Sequence, residues 1–193
     1  IIGTRSAPIL DGLTKSLTEI FQENGGLEDA FMVMSPHHKD FSNGEFLSHV
    51  SGSVRDADVH IIAQPRNVPH LIHSDLWEIN QLIRSAKVGH AHRVNLLLPC
   101  IPYARQDRAT REREHPSFRL MCDQLKCSGV DTVTTFDLHN DSTVGYMQGE
   151  LSNYLTTSWM TRKIHRHLIK GFDGVCHLIA PDTGSVKSIE RYQ

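Results

Sequence analysis

Two short apolar runs, Val94 to Leu98 and Val133 to Phe136, each lead directly into a cluster of polar groups. Tyr103, Arg105, Gln106, Asp107 and Arg108 follow the first, and Asp137, His139 and Asp141 follow the second. Arg105 and Arg108, with Gln106 between them, put two guanidinium groups and an amide in one loop. Such a set suits polyphosphate, because guanidinium forks match phosphate oxygens and stay charged at any working pH. A solvated loop held by an Arg–Asp pair accounts for the same residues equally well. His139, flanked by two carboxylates, can bind a metal, act as a base or cap a helix. A third cluster, Pro181 to Ser185, follows the apolar run Val175 to Ala180. There Asp182, with Thr183 and Gly184, can bind Mg²⁺ and let backbone N–H groups approach a phosphate, or can form an ordinary turn. Cations, carboxylates and an imidazole at three strand ends are together what metal-assisted transfer between phosphates requires.

The elements that position these groups follow from hydrophobic periodicity. Apolar runs separated by a helical segment predict parallel strands covered on both faces, and open α/β sheets bind ligands beyond the carboxyl ends of their strands. The fold class is therefore α/β with the polar clusters sharing one crevice. Ile1 to Thr4 is a short first strand, and Leu10, Leu13, Leu17, Ile20 and Phe21 mark one face of a helix ending at Gly25-Gly26. Phe31 to Met34 is a second strand. Asn43-Gly44 then reads as a tight hairpin turn, since both residues tolerate positive φ. After a strand at Val59 to Ala63, Asp75 caps a helix whose buried stripe is Leu76, Ile79, Leu82, Ile83 and Ala86 and which stops at Gly89. The charged run Ala109 to His115 is a solvated loop, and Pro116 opens a helix ending at Ser128-Gly129. A further helix with Leu155, Trp159, Ile164 and Leu168 ends at Gly171, before a buried strand at Val175 to Ala180. The break near Leu151 to Thr157 is the candidate domain boundary.

Composition bounds the function classes. The chain has 193 residues and a formal net charge of -2. Its charges are interspersed, which argues against broad nucleic-acid or anionic-membrane surfaces. Apolar runs are far shorter than the roughly 20 residues that span a bilayer, and nothing resembles a signal peptide, so a soluble, cytoplasmic protein is expected. Cys100, Cys122, Cys127 and Cys176 lack zinc-site spacing and read as reduced core thiols.

PYARQDR, TFDLH and APDTG, in that order and with these gaps, resemble the ribose-phosphate pyrophosphokinase, or phosphoribosyl pyrophosphate synthetase, family. Ile1 to Thr4 resembles its opening strand, FSNGE its FS(D/N)GE segment and SVRDADV the region around its VRG(E/D)D. The resemblance implies two similar α/β domains of the type I phosphoribosyltransferase kind with parallel sheets. Residues 1–152 would be an ATP-binding domain with a projecting hairpin near residues 41–50, and residues 153–193 the start of a ribose-phosphate-binding domain that is incomplete here. It implies Mg²⁺-dependent transfer of the β,γ-pyrophosphoryl group of ATP to the anomeric hydroxyl of ribose 5-phosphate, releasing AMP, in a homo-oligomer that is often a dimer-based hexamer. Arg105 and Gln106 would hold ATP, Asp107 would support their loop, and His139 and Asp182 would position Mg²⁺. Asp182, Thr183 and Gly184 would face the ribose phosphate. Phe41, Asn43 and Glu45 would reach into a neighbouring subunit to bracket the adenine. Ser53 and Arg55 match residues around the family's regulatory phosphate site.

Departures from the pattern leave other readings open. The family's Pro-Ile-(Ser/Thr)-Ala-Lys is here His115 to Arg119, and the second glycine of its Pro-Asp-x-Gly-Gly turn is Ser185. Its catalytic Lys-Arg loop and sugar 5-phosphate loop would lie beyond Gln193, so this chain alone is expected to turn over little. A larger acceptor such as ADP-ribose, or a non-catalytic relative that regulates a true synthetase, are the alternatives.

Overall fold

Parallel strands cannot be joined by tight turns, so each neighbouring pair requires a crossover, and here the long crossovers are helical. The computed structural model describes residues 1–5, 7–23, 31–175, 177–183 and 186–190. In chain order the first elements are β1 (Ile2–Gly3), α1 (Ile9–Glu23), β2 (His37–Asp40), β3 (Phe46–His49), β4 (Asp58–Ile62) and α2 (Leu71–Val88). They are followed by β5 (Arg93–Leu97), α3 (Ser117–Ser128), β6 (Thr132–Phe136), a 3₁₀ helix (Asp141–Met147) and β7 (Leu151–Tyr154). The chain divides into two compact units, Ile1–Asn153 and Tyr154–Gln193.

A five-stranded sheet in the order β1-β4-β5-β6-β7 organises the first unit, while β2 and β3 form a separate antiparallel pair. The β1–β4, β4–β5 and β5–β6 pairs are parallel, with Ile61 opposite Leu96 and Leu96 opposite Val133. These residues face α2 and α3 and are buried, together with the predicted α2 stripe Leu76, Ile79, Leu82, Ile83 and Ala86. From α3 come Phe118, Met121, Cys122 and Leu125. Gly129, in the left-handed region at φ 102°, ends α3 where a side chain would be strained. Lys87 of α2 donates to Asp131 at 2.6 Å, and the same carboxylate oxygen accepts from the Val94 N–H, so one side chain fastens α2, β5 and the turn before β6.

Several expectations are corrected. Of Phe31 to Met34, only Met34 bridges to Ile2, and the second strand is instead the polar His37–Asp40. In the hairpin turn only Gly44 takes positive φ, at 87°. Gly44 N–H donates to Phe41 O at 3.1 Å and Phe41 N–H to Glu45 O at 2.8 Å, a longer loop that needs one left-handed residue rather than two. Asp75 does not cap α2, which begins at Leu71 after a left-handed His70. It lies buried inside the helix, paired with Arg66 at 2.7 Å. Among the described cysteines, Cys100 and Cys127 are exposed and Cys122 is the core thiol, pushed up to about 11 by burial. Gly25-Gly26 and Cys176 lie outside the described residues.

Among its described residues the second unit follows the last residue of β7 with helices separated by irregular backbone. It contains α4 (Thr157–Ile164), continued by a π-helical turn (His165–Ile169), and α5 (Val186–Glu190). The described residues of the strand expected at Val175 to Ala180 do not form one, and Val175 and Ile179 are 78% and 82% exposed. An apolar run becomes a strand only where another strand completes its hydrogen bonds, and this unit offers none among its described residues. Among the described residues no helix is long and apolar enough to cross a membrane.

Among the described residues two buried side-chain oxygens have no hydrogen-bond partner: Glu150 Oε2, which lies 3.3 Å from Lys126 Nζ, and the Thr135 hydroxyl in β6. An unsatisfied buried hydroxyl costs about 1–3 kcal/mol, so the nearly isosteric Thr135→Val is expected to stabilise the fold by about 1 kcal/mol. A urea midpoint that moves down rather than up would contradict this.

Candidate active site

Because β5 and β6 are adjacent and parallel, their carboxyl ends open at the same edge of the sheet. The loop after β5 carries Tyr103, Arg105, Gln106, Asp107 and Arg108, and the loop after β6 carries Asp137, His139, Asn140 and Asp141. The two are fastened to each other: the Asn140 side-chain amide donates to Asp107 Oδ2 at 2.7 Å. Asp107 is buried, whereas Arg105, Gln106, Arg108 and His139 are exposed around it. A loop held by an Arg–Asp pair is thus not what forms, since Asp107 takes a neutral amide and Arg105 enters no ion pair among the described residues. Two cations stay available to an anion.

Each loop is also held from behind. The Tyr146 hydroxyl donates to Asp107 O at 2.6 Å, and the Gln106 carbonyl accepts from the Phe118 N–H at the start of α3 at 3.2 Å. Arg119 lies over the Tyr146 ring at 5.7 Å and bonds to Asp123 at 2.9 Å, so the divergent His115 to Arg119 segment supports the first loop. Asn153 in β7 accepts from the Leu138 N–H at 3.0 Å and donates to Asp141 at 2.7 Å, fixing both sides of His139. Asn140 also accepts from the Ser142 N–H at 3.1 Å, which starts the 3₁₀ helix. Tyr103 and Asp137 have φ of 61° and 46°. Left-handed backbone is costly for a bulky side chain such as Tyr103, and it persists only where surroundings over-determine it, as at binding loops. A hydrogen bond of 2.8 Å between the Tyr103 ring hydroxyl and His73 Nδ1 is one such constraint.

The Asn140 hydrogen bond holds the Asp107 carboxyl below the usual carboxylate range; burial opposes this, and Arg108 and His139 add to it. Sequence reasoning named Asp107 and His139 but missed Asn140, Tyr146 and Asn153. The Asn-Asp pair after His139 was the available clue for the first of these.

The other expected site residues fall in three places. Phe41, Asn43 and Glu45 are exposed at the tip of the β2–β3 hairpin, where the Asn43 side chain accepts from the Glu45 N–H at 3.2 Å and Lys39 lies 5.2 Å from the Phe41 ring centroid. Ser53 and Arg55 are exposed between β3 and β4. Asp182 and Thr183 belong to the second unit, in irregular backbone before α5 rather than at a strand end, and Gly184 lies outside the described residues. Among the described residues no group of three or more His, Cys, Asp or Glu side chains is arranged to hold a metal ion.

Fold and site together define an α/β protein with exposed arginine, amide and imidazole side chains at the carboxyl ends of its central strands. A family model described as the N-terminal domain of ribose phosphate pyrophosphokinase matches residues 17–129. The chain is 32% identical over 160 residues to ribose-phosphate pyrophosphokinase of Mycobacterium tuberculosis, covering 83% of this chain and 47% of the relative. With the Corynebacterium glutamicum protein of the same name it shares 33% identity over 159 residues, 80% of this chain and 46% of that one. The crystal structure of phosphoribosylpyrophosphate synthetase from Mycobacterium smegmatis superposes with a TM-score of 0.78 and 30% identity, over 99% of this chain and 58% of that chain. The chain belongs to the ribose-phosphate pyrophosphokinase family. It spans about half the length of the curated relatives it matches.

Asp107 has a lowered folded pKa, so its contribution to stability is present above the unfolded value of about 3.9 and is lost as pH falls through the folded value. Asn140→Leu removes the amide that lowers it. The Asp107 carboxyl, followed by carbon-detected NMR titration, should then titrate at higher pH, and the acid limb of unfolding should move the same way. An unchanged titration would show that Asn140 is not what holds this carboxylate.

Proposed function

We propose that this chain contributes the ATP-binding half of a ribose-phosphate pyrophosphokinase. The observation that carries the reading is the Asp107–Asn140 bond, which presents Arg105, Gln106 and His139 on one rim while leaving the arginine without an ion pair among the described residues. In the proposed reaction the anomeric hydroxyl oxygen of ribose 5-phosphate attacks the β-phosphorus of ATP. The bond from that phosphorus to the α-phosphate oxygen breaks, AMP departs, and the hydroxyl proton is released. Such a reaction needs alignment and charge neutralisation more than covalent help from the protein.

Arg105 neutralises and orients the phosphates, Gln106 hydrogen-bonds them, and Asp107 acts indirectly by holding both loops. Mg²⁺ would arrive with ATP, keep most of its ligands from water and phosphate, and supply further neutralisation. His139 is the ligand this unit offers, an exposed imidazole beside Asp137 and Asp141, and Asp182 is assigned to the metal and, with Thr183 and Gly184, to the ribose phosphate. At the hairpin tip, Phe41, Asn43 and Glu45 bracket the adenine of a neighbouring subunit in a homo-oligomer, which we take to be a hexamer built from dimers. We assign Ser53 and Arg55 to a regulatory phosphate site. We take the enzyme to act in the cytoplasm.

Full-length protein supplied with Mg-ATP should release AMP with ribose 5-phosphate. Release only with ADP-ribose would move the acceptor while keeping the chemistry, and no release with either would make the chain a regulatory relative. Arg105→Ala or His139→Ala should each lower AMP release by at least about a hundredfold, on the order of the loss when one transition-state charge partner is removed. Because both side chains are exposed, thermal unfolding should not change. Normal activity in either variant would sink the assignment.

A further inference from the structure

The β2–β3 hairpin has an edge that no strand covers among the described residues. Phe41 N–H donates to Glu45 O at 2.8 Å, which makes residues 41 and 45 a hydrogen-bonded pair. With Asp40 opposite Phe46 and His38 opposite Ser48, the alternation of an antiparallel ladder turns the backbone groups of Phe46 and Ser48 away from β2. Uncovered edge groups of this kind must find partners or water. Ser48 is buried, so water is not the answer there.

Helix α2 supplies the partners from one polar row. Gln81 Oε1 accepts from the Ser48 N–H at 2.5 Å, and the same amide donates through Nε2 to Phe46 O at 3.0 Å. One side chain thereby satisfies a donor and an acceptor two residues apart, as a neighbouring strand would. One turn on, Ser85 Oγ accepts from the Val50 N–H at 3.1 Å. One turn earlier, the buried Glu78 binds Arg5 at 3.3 Å, and the Arg5 guanidinium lies 5.3 Å from the Phe46 ring centroid. The hairpin is fastened along this row at its base, while its tip carrying Phe41, Asn43 and Glu45 stays exposed.

We propose that Gln81 is a positioning residue for nucleotide binding: it sets the hairpin that presents the tip to the adenine ring of ATP. The proposal rests on the reading of the tip as an adenine clamp. The side-chain hydrogen bonds of Gln81 among the described residues go to Ser48 and Phe46 of the hairpin and not to the loops after β5 and β6. Loosening the hairpin removes a contact made equally in the ground state and the transition state, which raises KM without lowering kcat.

The test uses the full-length protein with Gln81→Met, which keeps the length and helix preference of the side chain and removes both hydrogen bonds, and Ser85→Ala as a second variant on the same row. In Gln81→Met, the Ser48 amide should exchange faster with deuterium, and KM for ATP should rise about tenfold, equivalent to about 1.4 kcal/mol. The kcat value and KM for ribose 5-phosphate should stay within about twofold of the wild type, the resolution expected for a contact that does not change in the transition state. Ser85→Ala should give the same pattern with a smaller rise. An unchanged KM for ATP alongside faster exchange would overturn the role, as would a fall in kcat alone or an unchanged amide. If the wild type releases no AMP, the synthetase reading fails separately, and ATP affinity by calorimetry then decides. A tenfold weakening in Gln81→Met upholds the positioning role, and equal or undetectable ATP binding by both proteins overturns it.

Discussion

The site depends on one geometric fact, the parallel pairing of β5 with β6. Opposed pairs such as Leu96 and Val133 are buried on the same side, which fixes the register, since a slip of one residue would turn the apolar set of a strand to the other face. The two loops then leave the sheet side by side. What remains is to hold them without consuming the groups that a ligand needs. An Arg–Asp pair would have held the first loop but neutralised a cation. Asn140, Tyr146 and Asn153 do the holding with neutral donors, so the buried carboxylate of Asp107 is satisfied while Arg105 remains exposed and unpaired among the described residues. A charge-assisted bond to a neutral partner is still stronger than one between two neutral groups, so little rigidity is lost by this choice.

Helix α2 coordinates the rest of the first unit by giving each of its faces a different neighbour. Leu76, Ile79, Leu82, Ile83 and Ala86 pack in the core. Asn80 accepts from Ser128 at 2.7 Å and thereby ties α2 to the end of α3, while Lys87 reaches Asp131. Asp75 holds the loop after β4 through Arg66, and Glu78 holds the segment after β1 through Arg5. Both carboxylates are buried, and removing one partner of such a pair leaves an uncompensated charge that costs several kcal/mol. Arg66 and Arg5 are therefore committed to structure.

The central sheet was legible in the sequence because buried parallel strands are continuous apolar runs and α2 shows a clean helical stripe. Arg105, Gln106, Asp107 and His139 were legible as candidates because strand ends in α/β sheets are where polar residues gather. Their supports were not. Asn140 and Asn153 are short amides that serve equally well in turns, caps and networks, and only the folded backbone decides which partner lies within 3 Å. Val175 to Ala180 failed for the complementary reason: an apolar run is a strand only in the presence of a second strand. Asp75, followed three residues later by Glu78, has the look of a helix start, yet both carboxylates are claimed by arginines from distant loops.

β2 shows how far local pattern can mislead. His37, His38, Lys39 and Asp40 have no apolar alternation, and their strand is decided by β3 and α2. The His37 and His49 rings sit 4.7 Å apart across the pair, and the His38 ring lies between Ser48 Oγ at 2.7 Å and Asp40 Oδ1 at 2.9 Å. Polar cross-strand contacts replace the apolar ones that usually hold a two-stranded ribbon, and a ribbon of two strands is marginal by itself. Its orientation must then come from whatever it docks against. Here that is a helix rather than the main sheet, and the contact is made by side-chain amide and hydroxyl groups rather than by backbone. A backbone ladder tolerates most substitutions, whereas this attachment is carried by a few side chains, so the hairpin can be retuned by single changes in α2 without disturbing the strands that build the crevice.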